Sequence, residues 1–236
     1  MGLLNDALDV AGGLDRWKGL SRFTAHLSIK GELVDKNGKA GLLSELVAEG
    51  CAQSQSLRLT GFIAPNKCWT YRPDRVAIEN LDGTTLQDRN NPRAAFDSRR
   101  APWDDLDFAY FLGFSLWNYL TAPFLLALPG VKTEELSICY ENGEMWRRLA
   151  AAMPPSIVTL APRQTFYFDS ASLQRRLDYN AIDTNGPRMA QHFSAHHKFS
   201  GIIVPTLSRC TELRSDGSLD AKRACIDIEI FDASFE

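Results

Sequence analysis

The chain lacks the marks of several functional classes. It has no excess of positive charge: 26 lysines and arginines stand against 29 aspartates and glutamates, a formal net charge of -3 over 236 residues. A nucleic-acid partner is therefore not expected, because such binders carry a basic stripe that displaces counterions from phosphates. No CxxC pair occurs among the five cysteines, Cys51, Cys68, Cys139, Cys210 and Cys225, so they read as free thiols of a reducing compartment. The first residues include Asn5, Asp6 and Asp9 where a signal peptide would be basic, and no apolar core with a cleavage site follows, which makes a cytoplasmic location the expectation. Asp6 also occupies the place where myristoylation at Gly2 requires Ser or Thr. There is no Gly-x-Gly-x-x-Gly, phosphate loop, nucleophile elbow or His-Glu-x-x-His, so no cofactor is expected. Without an internal repeat or a Pro/Ser-rich linker, residues 1–236 read as one domain.

Charge itself is missing from one long stretch, Phe108 to Val131. It is long enough to cross a bilayer. However, Gly113, Ser115, Asn118 and Thr121 interrupt it, Pro123 breaks any helix, and the flanking acids Asp104, Asp105 and Asp107 provide no basic cluster to set a topology. The spacing predicts a buried helix over about 104–121 with acids at its positive end. Trp103, Phe108, Phe111, Phe114, Trp117 and Tyr119 surround it on all sides, so it needs cover on two faces. A curved sheet covers one; loops, a partner or a bound ligand must cover the other. Docking on a protein partner or on a membrane surface through this uncharged helix is the less favoured use of it.

What the sequence does have is alternation. Phe23, Ala25, Leu27, Ile29 and Leu33 share one parity from Ser21 onward, after a short amphipathic helix built on Leu4, Ala7, Leu8, Ala11 and Leu14. Further strand-like runs cover 44–53, 56–63, 67–71, 75–79, 135–140, 164–169, 173–179, 188–204, 206–213 and 222–231. Turn pairs such as Asn37-Gly38, Asp82-Gly83, Asn142-Gly143, Asn185-Gly186 and Asp216-Gly217 punctuate them. The class is mainly β (α+β), a meander of long antiparallel strands with an N-terminal helix and an inserted helix.

The runs Gln164-Thr165-Phe166-Tyr167-Phe168-Asp169, Leu173-Gln174-Arg175-Arg176-Leu177-Asp178-Tyr179 and His197-Lys198-Phe199-Ser200-Gly201-Ile202-Ile203-Val204-Pro205-Thr206 resemble the carboxy-terminal strands of LolA/LolB-type lipoprotein carriers. The resemblance implies an open half-barrel with a lid helix over an apolar cavity. It implies a hydrophobic small molecule, lipid or acyl chain as partner. The carriers are exported or lipid-anchored, and this chain shows neither a signal peptide nor a lipobox cysteine. The fold is also similar to that of a cofactor-free enzyme of violacein biosynthesis, which keeps a catalytic reading open.

Parity selects the candidate residues. On the strand covering 188–204, Met189, Gln191, Phe193, His197 and Phe199 fall on the apolar side, and His192 and His196 on the wet one. Four residues of strand span about 13 Å, too far for His192 and His196 to share one metal ion. No metal site is expected. For a binder, Trp103, Phe108, Phe111, Phe114, Trp117, Tyr119, Gln191 and His197 line the cavity. For an enzyme acting on a hydrophobic or aromatic metabolite, His197 is the acid or base, with Tyr179 and Arg175 beside it.

Overall fold

A computed structural model describes the chain apart from residues 1, 63, 65, 99–102, 142, 181–186 and 215–218; the expected turns at Asn185-Gly186 and Asp216-Gly217, and Asn142 of the turn expected at Asn142-Gly143, lie outside the described residues. Period-two alternation builds the sheet. Strand β1 (Arg22–Lys30) buries Phe23, Ala25, Leu27 and Ile29 and turns the residues between them outward. It is followed by β2 (Leu46–Cys51), β3 (Leu57–Thr60), β4 (Lys67–Arg72), β5 (Arg75–Asn80) and β6 (Thr85–Asn90), each antiparallel to the one before. A second meander comprises β7 (Lys132–Glu141), β8 (Glu144–Ala152), β9 (Arg163–Phe168), β10 (Gln174–Asn180), β11 (Arg188–Phe199), β12 (Ile202–Leu213) and β13 (Leu219–Phe235). Pairing of β1 with β13 joins the two meanders into one open sheet of thirteen strands, with β6 and β7 at its edges.

Three elements depart from the expected pattern. The run 188–204 is two strands, because Ser200 (φ 49°) and Gly201 (φ 89°) supply the two positive φ values that a type I′ hairpin needs. Strands β6 and β8 were not expected. The β6 residues are nearly all exposed and show no apolar parity, and β8 contains the helix formers Leu149, Ala150, Ala151 and Ala152. Leu33 does not extend β1; it belongs to the short helix α3 (Glu32–Lys36), which comes after α1 (Leu3–Ala11) and α2 (Leu14–Lys18).

The connection from β6 to β7 carries the uncharged segment. It contains α4 (Pro92–Ser98), α5 (Asp105–Thr121) and a 3-10 turn, Phe124–Ala127. The Asp104 side chain accepts from the Asp107 amide and the Asp107 side chain accepts from the Asp104 amide, a capping box. Arg89 on β6 grips both carboxylates, at 2.6 Å each. Beyond Thr121, Pro123 stops the helix. Of the α5 residues only Asp105, Ser115 and Asn118 are not fully buried. One side packs on β3–β6. Gly113 makes that approach possible, since a methyl group there would overlap the Tyr71 ring. Trp17 stacks on Phe124 at 4.3 Å and clamps the far end of the segment. Among the described residues no helix is long and apolar enough to cross a membrane.

Candidate functional site

The other side of α5 meets the second meander through Tyr119, which stacks on Phe193 of β11 at 5.6 Å. Between α5 and the inner faces of β9–β13 lies a cavity of about 80 Å³. Phe111 and Phe114 from α5, Leu125 from the 3-10 turn, Phe166, Leu177, Phe193, Ile226 and Ile228 form most of its wall. The loop between β8 and β9 closes it with Met153, Thr159 and Leu160. The polar lining groups are Ser115, Asn118, Tyr119, Thr159, Gln164, Gln174, Tyr179, Gln191 and Cys210, and no Asp, Glu, Lys, Arg or His is among the lining residues.

Most of these polar groups are occupied. The Gln164 amide donates to Thr159 Oγ1 at 2.7 Å, the Gln191 amide donates to Ser208 Oγ at 2.7 Å, and Tyr179 Oη lies 3.3 Å from Cys210 Sγ. The Tyr119 hydroxyl donates to the Pro205 carbonyl at 2.5 Å. Ser115 Oγ is buried and has no hydrogen-bond partner, a group that a ligand's polar atom would satisfy. Burial pushes the Cys210 thiol up to about 12, and burial also raises the Tyr179 phenol well above its usual value, so both are neutral at pH 7.

Arg93 Nη1 donates to the Thr159 carbonyl of the closing loop at 2.7 Å, and a clasp built on Gln55 holds the loop beside it. Gln55 Nε2 donates to Asn118 Oδ1 (3.1 Å) and to the Val158 carbonyl (2.8 Å), while Gln55 Oε1 accepts from the Val158 amide at 2.7 Å. Asn118 Nδ2 donates to the same carbonyl at 3.1 Å. Gln55→Ala removes three of the clasp's four bonds, and the local opening free energy of the loop should fall by about 1–3 kcal/mol. Hydrogen exchange checks it: the Val158 amide should exchange faster in the variant while core-strand amides keep their protection.

Of the residues singled out by sequence, Phe111, Phe114, Tyr119, Tyr179 and Gln191 line the cavity. Phe108 packs edge-on against Trp69, Trp103 lies against Phe96 and Phe111, and Trp117 turns to the Cys51 carbonyl at 2.8 Å; all three are outside the cavity wall. His197 is exposed, its ring 4.8 Å from that of Phe199. The cause is Ala195, whose positive φ of 52° reverses the parity of β11. His196 turns inward instead, with Nε2 donating to the Gln174 carbonyl at 2.9 Å beside a second void of about 20 Å³, and burial holds its pKa below the usual value. Arg175 sits in the irregularity between Gln174 and Arg176 and pairs with Asp169 at 3.4 Å. His197, Tyr179 and Arg175 thus do not share a site. His192 remains on the outer face, 3.0 Å from Glu141. Among the described residues no three His, Cys, Asp or Glu side chains gather as a metal ion would need. Ser115, Asn118, Thr159, Gln164, Gln174 and Gln55 were not foreseen as site residues. A usable signal existed for the first two: they are the polar i, i+3 pair of an otherwise apolar helix.

No protein-family model matches the chain, and no curated protein matches it. Solved structures do. A LolA superfamily protein from Nitrosomonas europaea aligns over 98% of this chain and 92% of its own, with TM-score 0.52 and 9% identity. A DUF1329 family protein from Desulfovibrio piger aligns over 100% and 94%, with TM-score 0.54 and 13% identity. A domain named for outer membrane lipoprotein sorting, from Vibrio parahaemolyticus, aligns over 97% and 92%, with TM-score 0.53 and 8% identity. At these identities the likeness is one of fold: the chain has a LolA-like open half-barrel.

Proposed function

We propose that the protein binds a hydrophobic small molecule or acyl chain between α5 and β9–β13, with the enclosed part of the ligand uncharged. The observation that carries this reading is the cavity wall: apolar over most of its area, free of charged side chains, and presenting one unsatisfied hydroxyl, Ser115 Oγ. A buried carboxylate or ammonium would find no counter-charge there. A neutral chain with a single hydrogen-bonding atom suits it. One neighbour in fold is named for lipoprotein sorting, and a lipid-modified polypeptide presents a chain of this kind.

Size sets the entry route. An apolar cavity of about 150 Å³ admits benzene, so the about 80 Å³ found here holds only a few carbon atoms. A longer ligand enters as the Gln55 clasp releases and the 153–162 loop swings out, or by parting Tyr119 from Phe193, which together separate the cavity from the smaller void beside His196. Binding is favoured over catalysis because the three titratable groups in the wall, Tyr119, Tyr179 and Cys210, are all held protonated by burial, and none can serve as a base near neutral pH.

The test is organic extraction and native mass spectrometry of the purified protein. A stoichiometric lipid or apolar metabolite is the expected result; a chain that is repeatedly empty and refuses added fatty alcohols and acylglycerols would sink the reading. Ser115→Ala gives a sharper check. Removing an unsatisfied hydroxyl from a helix should stabilise the empty protein by up to about 1 kcal/mol and weaken the ligand by about the same amount. Paired melting curves with and without ligand read both signs.

A further inference from the structure

One end of the sheet combines charge and its absence in an unusual way. Lys132 pairs with Ala152, Ala152 with Arg163, and Asn180 with Arg188, while Asn180 stands one step beyond the Tyr179–Gln164 pair. The five residues form a row across β7–β11. Paired residues share a face, and the neighbouring Gln164 and Tyr179 face the cavity, so the row lies on the convex side at the strand ends. Lys132, Arg163 and Arg188 recur at every second strand, about 10 Å apart. All three are exposed, and none has an ion pair with a described residue. In the same shallow groove Arg148 is bonded to Ser137 and Asp178 is held by Arg176, which leaves Glu134 as the remaining acid.

Two of the loops that emerge at this end, those before β7 and between β8 and β9, carry no charge, while the connection from Asn180 to Arg188 includes one acid, Asp183. From Leu149 to Pro162 there is no ionisable side chain, with Arg147 and Arg148 before the run and Arg163 after it. Pro129, Gly130 and Val131 precede Lys132 in the same manner, and Gly130 sits against Pro154. Pro129, Gly130, Pro155, Ser156 and Pro162 are exposed, while Ile157 and Val158 are half-buried. Uncharged tips within a collar of cations match a bilayer with acidic lipids, which offers an interfacial zone for the tips and phosphates for the collar. An acidic protein would account for the collar and not for the tips.

We infer that this end of the protein docks on an anionic lipid surface, with Lys132, Arg163 and Arg188 on the headgroups and the 129–131 and 153–162 loops against the interface. The 153–162 loop also supplies Met153, Thr159 and Leu160 to the cavity wall, so docking places the gate of the cavity at the membrane. The inference rests on the proposed cavity function for its purpose, but the docking itself needs no ligand.

Flotation of the full chain with phosphatidylcholine vesicles, and with phosphatidylcholine–phosphatidylglycerol vesicles, tests it. The protein should float with the mixed vesicles at low salt, sink with the neutral ones, and detach as salt shortens the Debye length. Each cation removed should weaken partitioning about fivefold, so the triple variant Lys132→Gln, Arg163→Gln, Arg188→Gln should lose about a hundredfold. Ile157→Asp should also weaken it, whereas Arg72→Gln, an exposed arginine on the other half of the sheet, should leave it unchanged. Equal flotation with both vesicle types, indifference to the triple variant, or no flotation at low salt overturns the inference. Extraction of a cavity ligand without flotation would leave the binding reading standing, and flotation of an empty protein would do the reverse.

Discussion

Trp117→Ala should lower the unfolding free energy by about 3–5 kcal/mol, at least about a fifth of what a typical domain has in hand. Trp117 is 1% exposed and among the largest fully buried side chains. Its indole ties the middle of α5 to the Cys51 carbonyl at the end of β2. Alanine removes both the contact area and the hydrogen bond and leaves a void that close-packed neighbours cannot fill. Trp117→Phe separates the two contributions: most of the area stays, and the loss should be about 1 kcal/mol for the hydrogen bond. Urea unfolding of the three proteins reads the series. The result also decides what kind of element α5 is. A helix that merely covers the cavity as a detachable lid could lose Trp117 at little cost in global stability, whereas a helix that is half of the core cannot. Equal stability of wild type and Trp117→Ala would return α5 to the role of a lid.

Leu177→Trp should abolish ligand binding while the fold persists. Leu177 is half-buried and projects from β10 into the cavity, so an indole there occupies space that is already empty rather than space already filled, and the usual overpacking penalty of about 1–3 kcal/mol is largely avoided. A ligand would have to displace a well-packed aromatic ring. We expect bound ligand to fall at least about tenfold, a loss of about 1.4 kcal/mol or more in affinity. The measurement is ligand recovered by extraction per mole of protein, alongside a melting curve to confirm the fold. Undiminished recovery would place the ligand elsewhere on the molecule.

How much of this was legible depends on whether the physics was local. The alternation of β1 and the extent of α5 follow from period and capping, which short stretches of sequence encode directly. Period two also explains why Leu177 and Tyr179, two residues apart on β10, both reach the cavity. The parity of β11 was not legible, because one alanine at positive φ, a conformation that nothing about Ala195 advertises, exchanges the roles of His196 and His197. The Ser200-Gly201 hairpin was legible in principle, since Ser-Gly is a turn pair, but the apolar residues on both sides disguised two strands as one long one. The aromatic segment drew attention as a candidate ligand wall on all its sides. Only the three-dimensional arrangement shows which side packs on β3–β6 and which side faces the void. The Gln55 clasp joins residues 103 positions apart, and no window of sequence holds both partners.

The place of β13 in the sheet has a consequence for how the molecule is made. In the order across the sheet β13 is the central strand, with six strands on each side, yet it is the last of the thirteen to leave the ribosome. Until it arrives, β1 and β12 each present an unpaired edge, and the two meanders are separate sheets joined only through the crossover that carries α5. Such long-range closure is slow, and open edges of this kind pair readily with the wrong strand. During synthesis, therefore, the exposed seam that matters most is the one that later becomes the middle of the finished sheet.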